Sequence, residues 1–301
     1  MEYHNPVLLN ECIHGLRIKP EGIYIDVTFG GGGHSKSIFR KLNGGKLFAF
    51  DQDESANTNA LTQSGFKLIN ANFRYIKSFL KMEGIIKIDG LLADLGVSSH
   101  QFDVAERGFS TRLDGELDMR MNVNSNLSAK GVINDYSEEN LANVFYKYGE
   151  LRNSRSIANK IVTAKELSSI NTTANLIDVI SDLAPEKYRN QFLARVFQAI
   201  RIEVNDEIKA LEEMLLSAVE LLNPDGRLVV LSYHSLEDRL IKNLMKKGNF
   251  EGKVEKDFFG NPIKNLREIN RKVIRASDCE IKENSRARSA KLRVAEKIND
   301  N

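Results

Sequence analysis

The chain has 301 residues, of which 42% are hydrophobic and 28% are charged, and its formal net charge is +2. These proportions are typical of globular proteins and exclude disordered and fibrous classes. The length corresponds to about two domains, or to one domain with a large insertion. Two cysteines cannot form a disulfide framework, and no apolar run approaches the roughly 18 residues that cross a bilayer.

The first residues of the chain, MEYHNP, contain no basic region followed by an apolar core. No secretory signal is therefore expected. In that case Cys12 and Cys279 are reduced thiols, and the protein is expected in the cytoplasm, with no membrane association.

Charge is distributed unevenly along the chain. Residues 264–297 contain eleven Lys and Arg against five Asp and Glu, so this segment carries +6 and the rest carries −4. A basic C-terminal segment on a mildly acidic body suggests a polyanionic partner, and a solvated surface explains the same count equally well.

The first third of the chain alternates short apolar runs with helix-like stretches. Four runs are typical of buried strands, at residues 22–27, 46–51, 66–69 and 88–94. Helices are predicted between them, at about 35–42 and 54–63. Strands that alternate with helices form βαβ units, so a parallel sheet is predicted.

After about residue 103 the alternation gives way to a polar stretch and then to helical periodicity, including one long helical pattern from Phe192 to Leu215. Strand character resumes at 227–232, after a turn at 223–226. Residues 271–275 and 290–295 are predicted to form a closing pair of strands. The predicted fold is thus α/β, with a Rossmann-like domain formed by 1–103 and 198–301 and an inserted all-helical subdomain at 104–197.

A glycine-rich loop follows the first predicted strand, from Gly30 to Gly33, and Asp51 ends the second. Glycines let the backbone approach a ligand closely, and a carboxylate at the position of Asp51 accepts both hydroxyls of a ribose. This combination predicts a nucleoside-cofactor site, which NAD and S-adenosylmethionine share. Ser35 stands where the dinucleotide fingerprint requires glycine, and Asp26 suits a ligand with an ammonium group, so S-adenosylmethionine is favoured.

Seven sequence motifs occur in order along the chain: H4-x-PVLL, D26-x-T-x-G-x-GGHS, D89G-x-L-x-DLGVSS-x-Q, R107GFS, L117DMRM, F197QAIRI-x-VN and S232YHSLEDR. Together they closely resemble the ribosomal RNA small subunit methyltransferase H family, over about residues 4–297. The resemblance implies a class I S-adenosylmethionine-dependent methyltransferase fold. It also implies N4-methylation of a decoding-centre cytidine in 16S rRNA, with the small ribosomal subunit as partner.

By this resemblance, the cofactor contacts are Gly32, Gly33, His34, Asp51, Phe73, Asp94 and Gln101. Asp94 ends the fourth predicted strand, at the edge where open α/β sheets bind ligands. Phe73 is placed to lie against the adenine ring, or else it is an ordinary core phenylalanine. From spacing alone, Gln101 is a loop residue.

Methylation of an exocyclic amine requires a group that holds the amine and accepts its proton or hydrogen bonds. Asp94 is the best-placed acceptor in the sequence, with Ser98, Tyr233 and His234 as candidates that orient the base. We predict Asp94, Ser98 and His234 as catalytic residues. The histidines and cysteines lack metal-ligand spacing, so no metal is expected.

Two other functions remain open from the residues alone. One is a non-catalytic nucleic-acid-binding module, and the other is a nicotinamide-dependent oxidoreductase. The oligomeric state and the choice between naked rRNA and an assembled subunit are left open. As RNA-binding groups we predict basic residues of the insertion and of the C-terminal segment: Arg152, Arg155, Lys160, Lys165, Arg286, Arg288, Lys291 and Arg293.

Overall fold

The computed structural model describes residues 6–298, which form two compact units. The first unit comprises the chain up to Gly96 and from Ile208 onwards, and the second unit is Val97–Glu207. The second unit thus begins before the predicted boundary at residue 104 and ends after the predicted boundary at residue 197.

The first unit contains a seven-stranded sheet. Its strands are β1 (Ile23–Asp26), β2 (Lys46–Asp51), β3 (Phe66–Asn70), β4 (Ile88–Asp94), β5 (Leu222–Ser232), β6 (Leu266–Glu268) and β7 (Lys291–Lys297). Their order across the sheet is β3-β2-β1-β4-β5-β7-β6. The first five strands pair in parallel, and β7 runs antiparallel to both β5 and β6. The predicted α/β fold is confirmed.

Twelve α-helices occur within the described residues. They are α1 (Leu9–Leu16), α2 (Gly33–Phe39), α3 (Ile76–Met82), α4 (Ser99–Asp103), α5 (Ala129–Asp135), α6 (Glu138–Gly149), α7 (Ser154–Leu167), α8 (Thr173–Ile180), α9 (Arg189–Asn205), α10 (Glu207–Leu221), α11 (Ser235–Lys247) and α12 (Asp278–Glu283). Helices α4–α9 belong to the second unit. No helix in the described part of the chain is both long enough and apolar enough to span a membrane.

Helices cover both faces of the sheet because the buried strands are apolar on both sides. Successive residues of β1 show this: Tyr24 packs in the cluster that contains Leu16 of α1, and Ile25 packs in the cluster that contains Leu80 of α3 and Met214 of α10. This alternation is the two-residue period of a strand, which turns neighbouring side chains to opposite faces. The sheet is therefore covered on both faces, and the candidate site lies at the carboxyl ends of β1, β2 and β4.

The second unit has a hydrophobic core of its own, whose buried members lie between Phe109 and Val204. Phe145 of α6, Ile157 of α7 and Leu176 of α8 are fully buried in it. The apolar periodicity of this segment predicts such burial of one face of each helix.

The structure differs from the predicted elements at three places. The long helical pattern is broken at Asp206, a left-handed residue with φ of 50° that separates α9 from α10. Residues 54–63 form a 3₁₀ helix only, over Glu54–Asn59. The partner strand of β7 is Leu266–Glu268, whereas the predicted 271–275 contributes one bridge, from Ile274 to Leu292.

Candidate active site

Three aspartates lie at the carboxyl edge of the sheet, where β1, β2 and β4 end at Asp26, Asp51 and Asp94. The strands are neighbours in the order β2-β1-β4. Asp26 pairs with Ala49 of β2 and Leu92 of β4, each two residues before the aspartate of its strand. Because parallel strands present their carboxyl ends at one edge, this register groups the three carboxylates.

Asp51 is held by backbone donors. Its carboxylate accepts hydrogen bonds from the N–H of Gly30, at 2.8 Å, and of Asp53, at 2.9 Å. Burial raises the pKa of Asp51 to about 6, against the opposing effect of these two hydrogen bonds. The side chain is only partly exposed, so it is an acceptor with little competing water.

The glycine loop serves two different purposes. Gly30 has a φ of +50° and faces open space, since a Cβ there would meet no atom within 4 Å. Gly32 and Gly33 are instead required by packing: a Cβ at Gly32 would lie 2.9 Å from the Phe29 ring, and one at Gly33 would lie 2.2 Å from Pro6 Cγ. The open surface of the loop is therefore at Gly30, while Gly32 and Gly33 are needed for its shape.

Gly33→Ala is expected to destabilise the protein by about 1–3 kcal/mol because its methyl group overpacks against Pro6. Thermal unfolding would show this as a lower Tm. Gly131→Ala in α5 is the matched control, because the nearest atoms to its Cβ are 3.6 Å away. An unchanged Tm for Gly33→Ala, with a lowered one for Gly131→Ala, would contradict this packing argument.

Asp94 is the centre of a hydrogen-bonded group. Its Oδ1 accepts a hydrogen bond from the Tyr233 hydroxyl at 2.6 Å, and its Oδ2 lies 3.8 Å from Nδ1 of His34. The Asp94 N–H donates to the Thr28 hydroxyl at 2.6 Å. Burial raises the pKa of Asp94, and the neighbouring His34 and Tyr233 oppose that rise. With 23% of its side chain exposed, Asp94 combines a strengthened proton affinity with access from outside.

Asp26 has no exposed surface. Its carboxylate accepts hydrogen bonds from the Ser35 hydroxyl at 2.7 Å and from the Thr28 N–H at 3.1 Å. Burial raises the pKa of Asp26. Asp26 therefore stabilises the glycine loop from inside the protein, and Ser35 is its hydrogen-bond donor.

The remaining predicted cofactor residues occupy different environments. His34 is buried in α2, with Nε2 3.1 Å from the Val7 carbonyl oxygen. Phe73 begins a 3₁₀ turn after β3 and is partly buried against the core of the first unit. Gln101 lies in the second unit, where its side chain accepts a hydrogen bond from the Ser98 N–H at 3.0 Å. Of the seven, the structure groups His34, Asp51 and Asp94 with the glycines at the sheet edge.

Two of the predicted catalytic residues are helix caps. The Ser98 hydroxyl accepts from the Gln101 N–H at the start of α4, in the second unit. His234 caps α11, where Nδ1 accepts from the Glu237 N–H and Nε2 lies 3.1 Å from a Glu237 carboxylate oxygen. Both arrangements explain these residues by local structure, so their catalytic roles stay predictions.

Two contacts within the site are not evident from the sequence. Thr28 connects the Asp26 loop to the backbone of Asp94. Tyr233 is predicted only as a group that orients the base, yet its hydroxyl bonds directly to the carboxylate of Asp94. The signal that could have found it is its position, since Tyr233 directly follows β5, the parallel neighbour of β4.

The predicted RNA-binding cations divide into two groups. Lys160 pairs with Asp182, and Lys165 donates to the backbone carbonyl of Tyr136 at 2.6 Å. Lys291 and Arg293 both pair with Asp238, at 3.1 and 2.7 Å. These four side chains hold parts of the fold together. The exposed members of the set are Arg152, Arg155 and Arg288, while Arg286 is only partly exposed.

Comparison with known proteins gives the family. The model of the MraW methylase family matches residues 1–298. The chain is 58% identical over 299 residues to the ribosomal RNA small subunit methyltransferase H of Flavobacterium johnsoniae, covering 99% of each chain. It is 54% identical to the protein of the same name from Bacteroides thetaiotaomicron, covering 99% of this chain and 98% of the relative. With the family matched over nearly all of its length, the chain belongs to the MraW methylase family and is an S-adenosylmethionine-dependent methyltransferase.

Proposed function

We propose that this enzyme methylates N4 of a decoding-centre cytidine in the 16S rRNA of the small ribosomal subunit, in the cytoplasm. The names of its relatives, which cover the full length of the chain, support the rRNA of the small subunit as substrate. The observation that carries the chemistry is Asp94, a partly exposed carboxylate of raised pKa at the carboxyl edge of the sheet. Tyr233 fixes its orientation through a 2.6 Å hydrogen bond.

The sheet edge fits a nucleoside cofactor. Asp51 offers an oriented carboxylate that accepts hydroxyl donors, and Gly30 leaves open space beside it. These residues would hold the ribose, with Asp94 on the opposite side of β1. When bound, S-adenosylmethionine supplies a methyl group on a sulfonium centre to a nucleophile that attacks in line.

The nucleophile needs help because the lone pair of cytosine N4 is delocalised into the ring. Asp94 Oδ1 is occupied by the Tyr233 hydroxyl, and Oδ2 faces the ring of His34 at 3.8 Å. A carboxylate has about four acceptor positions, so Asp94 retains capacity for an amine N–H. Holding the amine there orients the nitrogen lone pair, and the raised pKa favours proton transfer to Asp94 as the new N–C bond forms.

Mass spectrometry of small-subunit rRNA tests the proposed substrate. Cells that lack this protein should lose one N4-methylcytidine from 16S rRNA, and expression of the wild-type chain should restore it. Loss of a methyl group on carbon 5 of cytosine, with the N4 signal intact, would contradict the proposal.

Asp51→Ala is expected to weaken S-adenosylmethionine binding by about 10- to 150-fold, equivalent to roughly 1.5–3 kcal/mol for hydrogen bonds to a charged group. Isothermal titration calorimetry measures this directly. The Tm should change little, because Ala removes a carboxylate whose burial is itself unfavourable. Unchanged affinity in the folded variant would show that Asp51 does not bind the ribose.

The affinity for S-adenosylhomocysteine is expected to fall as the pH is lowered through about 6, the value to which burial raises the Asp51 pKa. Binding weakens at low pH because the ionised carboxylate is the better acceptor for hydroxyl donors, and protonation removes it. Calorimetry at a series of pH values should approach a tenfold loss per pH unit. Asp51→Asn, which cannot ionise, should bind more weakly at neutral pH and show a flat profile over the same range.

A further inference from the structure

Between α11 and β6 the chain forms an exposed hairpin, residues 255–263. Lys256 and Pro262 form an antiparallel bridge. The Ile263 N–H donates to the Glu255 carbonyl at 2.9 Å. The hairpin thus has a defined stem, with residues 257–261 at its tip.

The tip is held in one conformation by Asp257. Its carboxylate accepts hydrogen bonds from the N–H groups of Phe259, at 2.9 Å, and Asn261, at 2.8 Å, and from the Asn261 side-chain amide at 3.2 Å. The bond from the Asn261 N–H is the main reason that the pKa of Asp257 is lowered. Gly260 supplies the left-handed residue of the turn, with φ of 86°. The tip is therefore preorganised.

This turn displays two aromatic rings to solvent. Phe258 is 98% exposed and Phe259 is 86% exposed. Their ring centroids are 5.7 Å apart and their planes are nearly perpendicular, at 87°. Scattered exposed apolar residues are ordinary, but two adjacent phenylalanines held on one turn form a binding feature whose outward ring faces can stack on a ligand.

The sequence on both sides of the aromatic tip is basic. Between residues 246 and 264 there are five lysines and three acids, and one acid, Asp257, is committed to the turn. The lysines are Lys246, Lys247, Lys253, Lys256 and Lys264. Aromatic rings flanked by flexible cations match the two components of single-stranded nucleic acid, namely bases that stack and phosphates that attract positive charge.

We propose that the hairpin 255–263 is an RNA-binding element, on which Phe258 and Phe259 stack unpaired bases of the substrate rRNA. This rests on the proposed function, which makes RNA the substrate. The angle between the rings adds specificity, because bases on two perpendicular faces cannot remain stacked on each other. The hairpin therefore selects a splayed single strand or loop over a duplex.

The test uses the full-length Phe258→Ala/Phe259→Ala variant and a fluorescein-labelled oligouridylate of about 12 nucleotides, within the usual size of such sites. Fluorescence anisotropy should show at least about 30-fold weaker binding than the wild type, because the variant removes two stacking rings and each stacked base contributes about 5-fold or more. The Tm and the affinity for S-adenosylmethionine should be unchanged, since both rings are exposed. Phe258→Trp/Phe259→Trp should retain wild-type affinity because indole rings also stack.

The matched control is Met82→Ala/Ile86→Ala, which removes two side chains of the same unit that are each 79% exposed and not aromatic. It should bind the oligonucleotide as the wild type does. Equal affinity of the Phe258→Ala/Phe259→Ala variant and the wild type would overturn the proposal. So would a wild-type dimer that this variant converts to a monomer in light scattering, because the rings would then be covered by a second copy of the chain.

The outcome can be separated from that of the proposed function by assaying methylation of small-subunit rRNA in parallel. Wild-type methylation of N4, together with unchanged oligonucleotide binding by the Phe258→Ala/Phe259→Ala variant, rejects the hairpin alone. Absence of N4 methylation by the wild type, together with the expected binding defect of this variant, rejects the proposed function and keeps the hairpin as an RNA-binding element.

Discussion

Asp94→Asn is expected to lower the rate of methyl transfer by about 10²–10⁴-fold, the usual contribution of a positioned proton acceptor. The amide keeps the shape of the side chain but cannot take up the amine proton. Its NH₂ group also presents donors where the amine and the Tyr233 hydroxyl need an acceptor. Single-turnover assays with saturating S-adenosylmethionine separate this loss from any loss of cofactor affinity, which calorimetry measures in parallel.

Tyr233→Phe is the companion variant for that experiment. The Tyr233 hydroxyl is one of the groups that limit the rise of the Asp94 pKa, so its removal should raise that pKa further. The acid limb of the pH–rate profile should therefore move to higher pH, while Asp94→Asn should lose that limb. A wild-type rate in Asp94→Asn would show that another group accepts the proton.

Membership of the MraW methylase family decides between the functions that the residues alone left open. A non-catalytic nucleic-acid-binding module and a nicotinamide-dependent oxidoreductase are both excluded by it. Ser35 is one residue that argues against the nicotinamide cofactor, and its hydroxyl in fact binds the buried Asp26. The same residue that breaks the dinucleotide fingerprint thus connects α2 to the end of β1.

The parallel sheet and the placement of Asp51 and Asp94 were predictable because they depend on local order in the sequence. An apolar run followed by an aspartate is visible without any tertiary information, and parallel pairing then brings such residues to one edge. By contrast, the bond between Tyr233 and Asp94 joins residues 139 positions apart, on either side of the insertion. The order of the strands indicates that both residues reach the same edge of the sheet, but it does not predict the hydrogen bond between their side chains.

The left-handed backbone conformation of a non-glycine residue could not be predicted from the sequence either. The left-handed Asp206 ends α9 where the apolar period continues without interruption, so the pattern predicted one helix.

For Gly32 and Gly33, composition indicated close approach of the backbone to a ligand, whereas the structure shows close approach to Phe29 and Pro6. Space is restricted at these two glycines, and the neighbours that restrict it are known only from the fold.

Replacement of the second unit, Val97–Glu207, by a short Gly/Ser linker is expected to abolish rRNA methylation while cofactor binding survives. The residues at the sheet edge that would hold the cofactor, Asp51 and Gly30 among them, lie in the first unit. The buried core of the second unit is formed by its own residues, from Phe109 to Val204, so its removal takes away a complete core. A target base must leave its stack and be held by surrounding groups, and we propose that this unit supplies them.

The measurements are a cooperative thermal transition, which shows that the remaining unit folds, followed by calorimetry and a methyl-incorporation assay. The cofactor affinity of the excised protein is expected to stay close to that of the intact chain, because Asp51 and Gly30 lie in the retained unit. Normal methylation by the excised protein would show that substrate recognition lies elsewhere in the chain.

Arg152→Glu/Arg155→Glu in the intact chain provides a second route that does not depend on folding of the excised protein. Both side chains are exposed, so the reversal of charge should leave the Tm unchanged and weaken RNA binding. The log–log salt dependence of binding should flatten by up to about 0.7 for each phosphate that the variant no longer neutralises. If this variant kept wild-type RNA affinity and salt dependence, other cations would have to bind the phosphates. A reversed charge at a true phosphate-binding site must weaken binding.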